Sequence, residues 1–176
     1  MSKQYSIFKF EFFSVIFTLV LGTILHFTFN WSGNNLIIGA FSAVNESTWE
    51  HLKIVFFPML INTIIGFIYY KKEYPNYLCV KTKGILLALS FVVIFFYTYT
   101  GILGKNLSVL DIGSFIVAVI LAEYYTLKNV SNKSSCNNFI QSIILVALFI
   151  CFILFTFFPL HIGLFIDPIT GNYGVS

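Results

Sequence analysis

The stretch FIQSIILVALFICFILFTFFPL, residues 139–160, contains no acidic or basic side chain. As a helix rising about 1.5 Å per residue, it is long enough to cross the roughly 30 Å of hydrocarbon in a bilayer. Lipid offers no partner for an unpaired backbone group, so a run of this kind must be helical. A transmembrane β-strand would show alternation instead, and there is none. Four similar runs precede it, at 12–29, 52–70, 84–103 and 109–127. The acidic residues inside the five runs are Asp111 and Glu123, both near the ends of the fourth. Pro58 sits within the second and predicts a kink there.

Composition agrees with these spans. Of 176 residues, 58% are hydrophobic, 19% aromatic and 10% charged, where soluble domains carry roughly 25% charged. Mean hydropathy is +0.88. These values exclude a soluble enzyme, a disordered tail and a nucleic-acid binder, despite a net charge of +3. The expected fold is all-α: one domain over residues 1–176, a polytopic integral membrane bundle of five transmembrane helices with the lipid bilayer around it. All ten basic residues are lysine, so no guanidinium fork exists for phosphate or carboxylate. Cys79, Cys136 and Cys151 show no CxxC spacing, which argues against a disulfide framework or a cysteine zinc site. Lys3 and Lys9 precede the first run as in a signal peptide. No small-residue cleavage pattern follows, so the run is read as a retained span.

Lysine placement sets the expected orientation. Lys3, Lys9, Lys71, Lys72, Lys81, Lys83, Lys128 and Lys133 fall on one side, against Lys53 and Lys105 on the other. The positive-inside rule then puts the N-terminus in the cytoplasm and the C-terminus outside, in a multi-pass protein of the cell membrane. Tyr69, Tyr70, Tyr124 and Tyr125 fit an aromatic belt at the cytoplasmic helix ends. Residues 104–108 are short enough to make spans three and four a tight antiparallel hairpin. In the loop 30–47, the apolar run 36–41 is too short to cross and reads as interfacial or re-entrant. The tail from His161 holds two turn-forming clusters, around Asp167-Pro168 and Thr170-Gly171-Asn172.

This orientation gathers chemistry at one face. His26, Glu46, Glu50, His51, Asp111, His161 and Asp167 all fall on the outer side, drawn from four helix ends. Tyr97-Thr98-Tyr99-Thr100 adds hydroxyls at the same level. Ser47-x-x-Glu50 and Ser108-x-x-Asp111 match capping boxes, which is their structural reading. The functional reading uses Glu46 and Glu50 four residues apart, two carboxylates on one helix face if the helix starts near Asn45, with Lys53 to offset them. His26, His51 and His161 are the expected ligands of a divalent metal such as zinc, since catalytic zinc takes three His, or two His and a carboxylate, and keeps an open position. Glu46 or Glu50 is then the catalytic base, with Asn45, Trp49, Lys53, Asp111 and Asp167 as surrounding polar groups. The alternative for each histidine is an amphipathic side chain at headgroup level. Glu11, Glu73 and Glu123 are expected to be solvated at the opposite interface.

The segment Asn45-Glu46-Ser47-Thr48-Trp49-Glu50-His51-Leu52-Lys53 resembles the signature Asn-Glu-Ser-x-Trp-Glu-His-Leu-Lys of a family of small uncharacterised multi-pass membrane proteins of Gram-positive bacteria. The likeness extends to His26, Trp31, Pro159, His161 and Asp167-Pro168. It implies a bacterial membrane origin and supplies no mechanism. Three functions remain on the residues: a metal-dependent membrane hydrolase, a small solute- or cation-binding transport subunit, and a non-catalytic scaffold. A chain this short without an internal repeat is expected to act as a homo-oligomer or beside partner membrane subunits.

Overall fold

A computed structural model describes residues 3–132 and 136–175. Its helices are α1 (Lys3–Trp31), the single turn α2 (Leu36–Gly39), α3 (Thr48–Tyr70), α4 (Tyr77–Leu103), α5 (Ser108–Asn129) and α6 (Asn138–Phe157). All but α2 are long and apolar enough to span a membrane. Among the described residues the only β pairing is one isolated bridge, Ile166 with Tyr173, in the tail. The chain is a multi-pass, all-helical membrane protein.

Helix α3 is the axis of the bundle. Thirteen of its 23 residues are buried, and it packs against α1, α4 and α6. Helices α4 and α5 make the most extensive pairing, the hairpin expected from their short connection. Their backbones approach closely at Gly84, where a Cβ would lie 3.0 Å from the carbonyl oxygen of Ala122. Small residues serve helix contact in lipid, where apolar side chains gain little by leaving the tails. Helix α3 runs unbroken through Pro58, which cannot donate to Ile54. The Ile54 carbonyl faces Gly22 of α1, where a Cβ would stand only 2.8 Å away. Nearer the middle, the amide of Asn62 donates to the Ser14 carbonyl at 3.2 Å and to the Thr18 hydroxyl at 3.1 Å, joining α3 to α1.

Helix α1 begins at Lys3 rather than residue 12, and two further boundaries differ from expectation for physical reasons. Helix α4 begins at Tyr77 rather than residue 84, which brings Lys81 and Lys83 inside it. Hydropathy ends a span at a lysine, but Lys81 is neutralised by Glu11 and Glu123. Glu11 and Glu123, expected in solvent, are accordingly buried at 0% and 2% exposure. Helix α6 stops at Phe157 because Phe158 precedes Pro159, whose ring disfavours helical geometry in the residue before it. Lys133, counted in the orientation argument, lies outside the described residues, as does the Lys3 side chain. In the loop after α1, Asn35 caps α2 by accepting from Ile37 and Ile38, and Ile37 projects away from the bundle at 76% exposure.

The loop 40–47 is fastened by a buried ion pair. Lys53 Nζ lies 2.5 Å from Glu50 Oε2. It also donates to the Gly39 carbonyl and the Thr156 hydroxyl, each at 2.8 Å, so all three ammonium hydrogens are used. Glu50 Oε2 further accepts from the Val44 amide at 3.1 Å, and Oε1 lies 3.0 Å from the Thr156 hydroxyl. One pair thus ties α3 to α2, to the loop and to α6. Glu50→Ala is expected to cost about 3–5 kcal/mol, because it strands a buried ammonium. Glu50→Ala with Lys53→Met should recover most of that loss in denaturant unfolding in detergent. A loss from Glu50→Ala no larger than for a surface change would show that the pair carries no weight.

Candidate metal centre

Three elements converge at the end of the bundle where α1 finishes and α3 begins. His26 comes from the last two turns of α1 and His51 from the first turn of α3. Glu46 comes from the loop between them. Its carboxylate lies 3.6 Å from His26 Nε2 and 3.5 Å from His51 Nε2, and the imidazole centroids are 5.3 Å apart. One donor atom from each of the three lies within 4.8 Å of the others. Ligands at about 2.1 Å around a tetrahedral ion sit roughly 3.4 Å apart, which matches both His–Glu spacings. These distances are longer than ordinary hydrogen bonds and within ion-pair range of a protonated imidazole.

Local structure aims the donors. His51 Nδ1 lies 2.9 Å from the Ser47 carbonyl. Nδ1 donates to that carbonyl, as in histidines that ligate metals through the other nitrogen, and Nε2 is the ring nitrogen beside Glu46. Glu46 is held from both sides. Asn45 accepts from the Ser47 amide and donates to the Gly174 carbonyl, both at 2.9 Å. Ser47 caps α3 by accepting from the Glu50 amide at 3.4 Å. Helix α3 therefore starts at Thr48, Glu46 precedes it, and the two glutamates diverge. Only half of the expected capping box forms, because the Glu50 carboxylate turns inward to Lys53.

The three donors open on a cleft of about 170 Å³, whose wall also includes Asn106, Ser108, Asp111, Pro168 and Ile169. A smaller pocket of about 30 Å³, room for about two waters, shares Glu46, His51, Asn106 and Asp111 and reaches down to Phe96 and Phe115. Asp111 does not cap α5, whose N-cap is Leu107. Its carboxylate instead lies 2.5 Å from the Tyr99 hydroxyl, which is 2.7 Å from Asn106 Oδ1.

The other expected site residues stand elsewhere. His161 lies in the tail, its ring 4.7 Å from that of Tyr173, and is not among the three donors. Asp167 orders the tail turn, accepting from the Ile169 amide at 2.8 Å and the Thr170 hydroxyl at 2.9 Å, which sets Pro168 and Ile169 on the cleft wall. Trp49 packs against Phe152, Phe155 and Phe165, with centroids at 4.6, 5.6 and 4.8 Å. Glu50 and Lys53 are sealed in their ion pair. The cysteines are free, and burial, then the neighbouring Cys79 thiol, pushes Cys136 up to about 11, so it is an un-ionised thiol at neutral pH. Asn106 and Thr156 were not singled out by the sequence: one is a polar residue in a short loop, the other a lone hydroxyl in an apolar helix.

A family model matches residues 1–175. The chain belongs to DUF6512, a family of unknown function. No curated protein and no solved structure matches it.

The Asn45 bond to Gly174 holds the tail against the loop that presents Glu46. Asn45→Ala is expected to destabilise the protein by about 1 kcal/mol and to loosen the tail around Trp49. In a Trp31→Phe background, Trp49 emission should shift to the red. An unchanged spectrum would show that the tail docks without this bond.

Proposed function

We propose that this protein is a metal-dependent hydrolase of a bacterial cell membrane, binding one divalent ion such as zinc through His26, Glu46 and His51. The observation that carries this reading is the convergence of those donors from α1, a loop and α3 onto one small cleft. Two imidazoles and a carboxylate leave a coordination position free, as catalytic zinc requires. A bound divalent ion would polarise a substrate carbonyl or phosphoryl oxygen and acidify water.

Glu46, expected from the sequence as a base, serves better as the third ligand. Asp111 lines the same cleft and takes the role of proton acceptor, with Tyr99 fixing its carboxylate. The apolar walls contributed by Val92, Phe96 and Phe115 suit a substrate delivered from the membrane, an ester, amide or phosphoester with an apolar part.

Elemental analysis of carefully purified protein is expected to find about one divalent ion per chain, and near none in His26→Ala or His51→Ala. Zinc at about 100 times its Kd should raise unfolding free energy by about 2.7 kcal/mol in the wild type alone. Metal-free protein whose melting zinc does not shift would sink the proposal. Asp111→Asn should keep the metal and lose turnover of ester and phosphodiester substrates. Metal binding without any turnover in the wild type would favour a cation-binding subunit instead.

The proposed orientation places the N-terminus in the cytoplasm and the cleft outside. Removing the buried Lys81 and Lys53 from the lysine tally still leaves seven against one. Alkaline phosphatase fused after Ser176 should then be active and the same enzyme fused at the N-terminus inactive; the reverse pattern would invert the orientation.

A further inference from the structure

The opposite end of the bundle holds a second ionisable cluster. Glu11 lies fifteen residues before His26 on α1, a separation of about 22 Å along the helix. Lys81 Nζ of α4 lies 2.9 Å from Glu11 Oε2 and 2.5 Å from Glu123 Oε2 of α5, so two carboxylates flank one ammonium. Tyr77 donates its hydroxyl to Glu11 Oε1 at 2.9 Å. Tyr70 faces the cluster from α3, with its ring 6.0 Å from that of Tyr77 and its hydroxyl 3.1 Å from that of Ser6. Among the described residues, the titratable groups around the cluster are Glu11, Tyr70, Tyr77, Lys81 and Glu123. Glu11, Tyr77 and Lys81 have no exposed surface, and Glu123 is 2% exposed.

Two independent features fail to close if every group carries its usual charge. With both carboxylates ionised, the cluster has a net charge of −1 in a sealed protein interior. A buried charge without a counter-charge is costly enough that the group binds a proton instead. In addition, Glu123 Oε1 is buried with no hydrogen-bond partner. A bare oxygen is tolerated far better on a neutral acid than on a carboxylate.

We propose that Glu11, Lys81 and Glu123 form a proton-binding site that holds one excess proton at neutral pH, carried by Glu123 beside the Glu11–Lys81 ion pair. Its ligand is the proton itself, as in the carboxylate relays of membrane bundles. Uptake or release changes by one the charge shared among α1, α4 and α5. The same three helices carry His26, Tyr99 and Asp111 at their other ends.

Infrared spectroscopy of the full chain in detergent at neutral pH tests this. The wild type should show the carbonyl band of a protonated carboxyl group buried in the protein. Glu123→Gln removes the acid that carries the proton. Glu11→Gln leaves Glu123 ionised and paired with Lys81. Each change makes the cluster neutral without a bound proton, so each should abolish the band, and either variant suffices if the other does not fold. His26→Ala should leave the band unchanged, which keeps this test separate from metal binding. Absence of the band from the wild type, or its survival in the Gln variants, would overturn the proposal.

Discussion

The ion pair between Glu50 and Lys53 is the joint on which one end of the bundle depends, because a charge inside an apolar bundle must find all its partners within the protein. Lys53 spends its hydrogens on Glu50, Gly39 and Thr156, while Glu50 accepts from Lys53, Val44 and Thr156. Those contacts fix α2, the loop after it and α6 relative to α3. Glu46 sits in that loop, so the satisfied pair nearby helps to place it between His26 and His51.

The two glutamates therefore do opposite work. Glu50 is sealed and fully bonded, while Glu46 is partly exposed and stands between two imidazoles without a hydrogen bond to either. The three side chains converge at distances that also suit ligands around one ion. At the far end of the bundle, Glu11, Lys81 and Glu123 show the converse: contacts are short and the cluster is closed, but its charges do not sum to zero. Both ends follow from one rule, that charge retained in lipid is either balanced or used.

Much of this was legible in residue order. The five spans, the α4–α5 hairpin, the cap at Ser47 and the gathering of His26, Glu46, His51 and Asp111 toward one end all follow from hydropathy, loop length and helix-start chemistry. The burial of Glu11, Lys81 and Glu123 was not. Each lies near a span boundary in sequence, where a solvated place is the ordinary outcome, and only lateral packing of α1, α4 and α5 reveals that they meet one another. Lys81 also hid the true start of α4, since a lysine reads as the end of an apolar run until its partners are known.

The sequence alone determined that the chain is a five-span helical membrane protein with its histidines and several acids toward one end, because apolar length and backbone hydrogen bonding leave no other form in lipid. Tertiary structure decided which of those groups meet. His161 packs against Tyr173 while His26 and His51 share Glu46, and Asp111 turns to Tyr99 instead of capping its helix. Residue spacing fixes the face of one helix, but convergence between helices depends on their rotation and depth. Those are set by close approaches such as Gly84 on Ala122 and by buried ion pairs, whose partners lie far apart in the chain.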